Sequence, residues 1–197
     1  APDGPIPGTA DLVFIPYVER MNASLAYFKG FALRREHPLI DRWLTALEQL
    51  DTYRGTQSDM HTHAHDLPPQ MGGCWADGSE EQQRMAHALD SGAGLDELER
   101  CWAPSADTVS AQERALERVL RHRATLLARN PLGERFDQPL RAALSALMLE
   151  QSVKPESGSA SALRYLRDRI SVPRDMPLES ARSLRQALES TAALDGD

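Results

Sequence analysis

The period of the apolar residues constrains this chain more than anything else in it. After Pro38, the residues Ile40, Trp43, Leu44 and Leu47 recur every three or four positions, with Leu50 near the end. Asp41, Arg42, Glu48 and Gln49 fall mainly on the other side. That spacing lays one apolar stripe along a helix, and Pro38 suits a first turn, where its missing amide hydrogen forfeits no helical bond. Alternation at period two, which a half-buried strand needs, does not survive inspection, and no internal repeat recurs at a fixed period. The sequence predicts an all-α protein.

The same reading places a first helix over about residues 9–26, with Leu12, Ile15, Val18, Met21 and Leu25 as its apolar stripe and Asp11 in the first turn. Pro16 removes the hydrogen bond to the carbonyl of Leu12, which predicts a kink. The second helix exits over 51–58. Residues 59–78 read as a loop, because Pro68-Pro69 opposes a preceding helix and Gly72-Gly73 permits unusual backbone angles. Further helices are expected at roughly 79–90, 95–102, 108–129, 136–151, 159–170 and 177–194. Pro177 is the expected first residue of the last helix, and KPESGSAS, residues 154–161, is an expected flexible connection. The expected domains are 1–78, a small set of helices plus a His-rich loop, and 79–197, a C-terminal helical array.

Composition bounds the function. A chain of 197 residues makes one large domain or two small ones and buries a real core. A net charge of −7 argues against a general nucleic-acid binder. Lys29 and Lys154 are the only lysines, a codon bias toward Arg with no functional weight. Two cysteines, Cys74 and Cys101, are too few for a disulfide framework and suggest a reducing compartment. No apolar run is long enough to span a bilayer, so any membrane association is peripheral. The chain begins APDGPIPG without Met and shows no signal or transit peptide, the expectation being a processed protein or a fragment.

The segment DMHTHAHDLPPQMGGCW, residues 59–75, carries the densest chemistry. In an extended chain, residues two apart point to the same side, so His61, His63 and His65 would converge, with Cys74 or Asp66 completing a tetrahedral zinc shell. The alternative is that the imidazoles and Asp66 satisfy loop backbone. Cys74 would act as a nucleophile only beside a cation or a helix N-terminus, and is otherwise a half-buried structural thiol. Trp43, Trp75 and Trp102 read as core or interface residues. Tyr53 and Arg54 are expected to tie the loop to the second helix. Arg164, Arg167, Arg169 and Arg174 crowd the tail, where they would grip an acidic partner or a lipid phosphate unless they form a solvated face.

Two stretches, GTADLVFIPYVERM and HPLIDRWLTALEQLDTYRGT, resemble helices of the glutathione transferase C-terminal domain. In that family a Ser/Thr-x-Ala-Asp capping box opens the core helix, followed by a helix of the form Pro-x-(apolar)-x-x-Trp. Here the box reads Gly8-Thr9-Ala10-Asp11, with Gly8 where a capping hydroxyl is usual. The segment TQSDMHTHAHDLPPQMGGC and the tail ALRYLRDRISVPRDMPLESARSLRQAL are similar to glutathione transferase-like proteins of cyanobacteria and plastids, close to the iota class.

The resemblance implies a partial transferase-type helical domain followed by a helical extension. The family's glutathione site is built on an N-terminal thioredoxin-like domain, which this sequence does not contain, so no catalytic residue is carried over and glutathione is expected only if that domain is present. The expectation is a non-catalytic structural or accessory subunit with protein partners in a larger assembly, peripheral to a photosynthetic complex such as a photosystem. The resemblance implies a chloroplast, thylakoid-associated or stromal. The alternative is a glutathione transferase or glutathione-dependent reductase whose catalytic domain lies outside this sequence. A third reading is a zinc-binding module on the His-rich segment.

Overall fold

The computed structural model describes residues 6–95, 98, 109–149 and 151–195. Among them ten α-helices and a short 3₁₀ turn make up the regular structure, and no strand occurs, so the all-α expectation holds. The chain divides into two compact units. One holds the described residues of 6–89 together with those of 93–98, and the other holds 90–92, 109–149 and 151–195. The first of the two expected domains was drawn to stop at residue 78. Met85 and Leu89, however, share a buried cluster with Ala23, Ala26 and Met60, so residues 80–89 pack within the first unit.

The first unit contains α1 (Thr9–Lys29), α2 (Leu33–Glu36), α3 (Pro38–Leu47), α4 (Asp51–Arg54), α5 (Met60–Met71) and most of α6 (Glu80–Ser91). The start of α1 follows the capping reading. The Gly8 amide donates to Asp11 Oδ2 at 2.8 Å, and Asp11 Oδ1 accepts from Trp43 Nε1 at 2.8 Å. One carboxylate thus caps α1 and anchors α3. These two hydrogen bonds, Trp43's the stronger, hold the Asp11 carboxyl below its ordinary pKa. The helix continues through Pro16 and ends beyond the expected Ala26, at Gly30. Gly30 adopts φ 60°, with its amide on Ala26 O and the Phe31 amide on Leu25 O, both at 3.1 Å. A Cβ there would lie 2.5 Å from the backbone nitrogen of Gln82. That closeness lets the buried Gln82 side chain donate to Tyr27 O at 2.7 Å, while the Asp77 amide reaches Phe28 O at 3.0 Å.

Two expectations for this unit are overturned. The supposed loop 59–78 is helical over Met60–Met71. Asp59 is its N-cap, accepting from the Thr62 amide at 3.2 Å and from its hydroxyl at 2.5 Å. Met60, His61, Thr62 and Ala64 are buried, and α5 packs along α1. The two prolines sit in the last turn, where they forfeit the amide bonds to the carbonyls of Ala64 and His65, a local cost that the packing of α5 on α1 offsets, and Gly72 ends the helix at φ 76°. The apolar stripe of α1 holds at Ile15 and Val18, which pack on the α3 core, and fails at Leu12 and Met21. Ile15, Ala23 and Ala26 are buried, whereas Leu12 and Met21 are exposed.

The second unit contains α7 (Ala111–Arg129), α8 (Asp137–Leu149), α9 (Ala160–Arg167) and α10 (Leu178–Ala193). Ser110 and Glu113 form a reciprocal capping box on α7, with amide-to-side-chain distances of 3.1 and 3.0 Å. Helix α10 packs against α7, α8 and α9, burying Leu184 and Leu188 beside Phe136, Leu140 and Leu163. Pro177 precedes α10 as its N-cap residue rather than opening it. The helix expected at 95–102 falls largely outside the described residues.

Residues 154–161 are not a loose connection. Asp195 accepts from the amides of Gly158 at 3.0 Å and Ala160 at 2.8 Å, supplying the cap that α9 lacks locally, and Glu156 N donates to Gln138 Oε1 at 2.8 Å. These backbone bonds, Ala160's foremost, hold the Asp195 carboxyl below its usual range.

Arg167 is a buried charge of this unit. Its guanidinium meets Asp168 at 2.7 Å, Glu189 at 2.5 Å and Asp90 at 3.3 Å, with its side chain only 6% exposed. Arg164 also pairs with Glu189, at 3.1 Å. Removing one partner of a buried charge network leaves the others uncompensated. Arg167→Met is therefore expected to destabilise the second unit by about 3–5 kcal/mol, read as a lower urea midpoint at constant slope.

Candidate functional site

The helical state of α5 redistributes the predicted metal ligands. On a helix, residues four apart share a face and residues two apart lie roughly 200° round the axis from each other. His61 and His65 accordingly stack, with ring centroids 4.4 Å apart and a ring nitrogen of each within 4.8 Å of the other's. His65 also meets the edge of Tyr27 at 5.1 Å. His63 turns toward Glu19 of α1, with Nε2 3.9 Å from Oε2. Cys74 lies beyond the helix, half-buried, and six residues before α6 begins, so no helix N-terminus activates it. The convergence of His61, His63, His65 and Cys74 on one ion required an extended chain and is not formed. Among the four, only His61 and His65 are placed to share a ligand, and His61 is 1% exposed.

A polar cluster lies beside them, built on an acid, Glu19, that was not singled out in the sequence. Tyr53 of α4 donates to Glu19 Oε1 at 2.6 Å, and both side chains sit against the Leu44, Leu47 and Ile15 core. The two line an open cleft of about 410 Å³ with Ile15, Pro16, Leu47 and Leu50. Burial pushes the Glu19 carboxyl above its ordinary range, against the Tyr53 hydrogen bond that lowers it. Burial and the neighbouring carboxylate push the Tyr53 phenol well up. Burial, reinforced by Arg20, holds His63 below 6.5 as a neutral imidazole. All three shifts run toward the uncharged form, and the cluster joins α1, α4 and α5. The signal was present in the spacing. Glu19 lies four residues from both Ile15 and Ala23, on the buried stripe of α1.

Arg34 of α2 binds one face of α3. It donates to Asp41 at 2.7 Å, Thr45 at 3.1 Å and Glu48 at 2.6 Å, residues that follow one another along the helix. Tyr53 thus reaches α1 rather than tying a loop to α3, and Arg54 pairs with Asp51 inside α4. Trp75 is 86% exposed and Trp43 is held by Asp11, while Trp102 and Cys101 lie outside the described residues.

On the far side of α1 the pattern reverses. Val13, Phe14, Tyr17 and Met21 are 53, 58, 63 and 46% exposed. Helical geometry puts these four on one face, opposite Ile15, Ala23 and Ala26. Compared with models of protein families, with curated proteins and with solved structures, the chain matches none of them.

The opposed shifts give a pH test. A depressed imidazole costs stability as pH falls from 6.5 toward its folded value, because the unfolded chain takes up the proton first. A raised carboxyl works the other way, its contribution being complete below 4.5 and lost as pH climbs through its folded value. The melting temperature of the first unit is expected to fall between about pH 7 and pH 5.5, the window of imidazole titration. His63→Gln should flatten that fall, and an unchanged slope in the variant would assign the dependence elsewhere.

Proposed function

We propose that this chain is a non-catalytic accessory module that docks onto a larger protein assembly through the open apolar face of α1. The observation that supports this reading is the set Val13, Phe14, Tyr17 and Met21, contiguous on one helix and more than two-fifths exposed at every position. Scattered exposed apolar residues are ordinary, but several on one helical face mark an interaction surface. The face carries aromatic and Met side chains, the residue types enriched at protein contacts. No helix among the described residues is long and apolar enough to cross a membrane. The resemblance to plastid and cyanobacterial proteins supplies the setting proposed for that assembly, a photosynthetic complex of the chloroplast.

One observation favours a second reading. Asp11 joins the two stretches that resemble the transferase helices, capping α1 and binding Trp43 of α3. In a glutathione transferase extending beyond this sequence, the same face of α1 would be covered by the polypeptide's own additional helices.

Native mass spectrometry of the untagged protein, gently isolated from its source, separates the two. Under the first reading the chain runs near 21.8 kDa with other subunits alongside. A much larger intact mass together with retention on glutathione-agarose would install the transferase. The double substitution Phe14→Asp, Tyr17→Asp should abolish co-migration with the assembly while changing unfolding free energy by no more than about 0.5 kcal/mol, as expected for exposed positions. Recovery of the wild-type chain only as a free monomer would sink the proposal.

A further inference from the structure

The second unit contains a cleft of about 400 Å³ that is independent of the α1 face. Its floor is apolar, formed by Val119, Leu126, Leu166, Ile170, Met176 and Leu184. Its rim is basic. Arg118, Arg129, Arg169 and Arg174 surround it, with a single carboxylate, Asp175. A chain of net charge −7 has gathered four cations around one pocket.

The four arginines are not equivalent. Arg169 lies 3.4 Å from the centre of the Tyr165 ring and donates to Tyr165 O at 3.0 Å. Arg174 is engaged by Asp175 at 3.2 Å and by Ser171 Oγ at 2.8 Å. Arg118 and Arg129, both on α7, pair with no carboxylate among the described residues. Arg121 and Arg123 of the same helix, which do not line the cleft, do, with Glu117 and Asp137. Two guanidinium groups are thus left uncompensated at the pocket, while two that do not line it are paired.

We infer that this cleft binds an anionic amphiphile, a carboxylate head on an apolar body of medium length. The apolar floor gives a bare ion nothing to bury against, and the basic rim gives a neutral lipid no head contact. Arg118 and Arg129 are eleven residues apart, about 16 Å along α7, so one guanidinium meets the head. A planar guanidinium donates two parallel hydrogen bonds to a carboxylate and balances its single charge. A phosphate monoester would carry a second charge that one arginine leaves uncompensated.

Calorimetric titration of the full chain with octanoate tests this, with octanol, acetate, octyl phosphate and inorganic phosphate as companion probes. Octanoate is expected to bind at one site with sub-millimolar Kd, at least about tenfold tighter than octanol or acetate, in line with one charge-assisted pair. Arg118→Gln combined with Arg129→Gln should weaken it by about ten- to a hundredfold. Arg121→Gln, outside the cleft lining, should leave affinity unchanged, and all three substitutions should leave the melting temperature unchanged. Octanol binding as tightly as octanoate would overturn the head assignment. Octyl phosphate or inorganic phosphate binding more tightly would overturn the carboxylate. Full affinity in the double variant, or the same loss in Arg121→Gln, would remove the site from this cleft.

Discussion

An α-helix leaves four amide hydrogens at one end and four carbonyls at the other without internal partners, and an all-helical protein has no sheet in which to hide them. The structure of this chain is organised around meeting that requirement. Asp11 closes the start of α1 and Asp59 the start of α5. Ser110 with Glu113 closes α7, and Asp195 closes α9 from far along the sequence. At the other end of α1, Gln82 and the Asp77 amide take up the carbonyls of Tyr27 and Phe28. Several of these caps also set tertiary geometry, since the group that satisfies one helix end belongs to, or binds, another element.

That dual role explains which parts were legible in the sequence. Helix α3 could be read because its stripe and Pro38 are local. Helix α5 could not. Its prolines are a strong local signal for a break, while the packing of Met60, His61 and Ala64 against α1 that favours the helix is tertiary. On α1 the spacing placed Ile15 and Val18 on the buried side and left Val13 and Tyr17 off it, but it also put Leu12 and Met21 on the stripe, because the N-terminal half is apolar nearly all round and burial alone decides among its residues. The loose reading of residues 154–161 failed because Asp195 lies more than thirty residues away.

The candidate site follows the same rule. The histidines were conspicuous by type, and their helical placement separates His63 from the stacked pair His61 and His65. Glu19 was inconspicuous by type but sits on the buried stripe, where desolvation governs its behaviour. The arginines of the tail divide in a way that composition conceals. Arg164 and Arg167 are committed to Glu189, whereas Arg169 and Arg174 rim a cleft completed by α7.

The cap that Asp195 provides for α9 has a consequence for synthesis. The chain emerges from the ribosome with α9 preceding its own cap by the whole length of α10. Until residue 195 is available, the amides of Gly158 and Ala160 have only water to bond, and the start of α9 is held by its side-chain packing alone. The first turn of α9 therefore depends on a residue made only after the whole of α10.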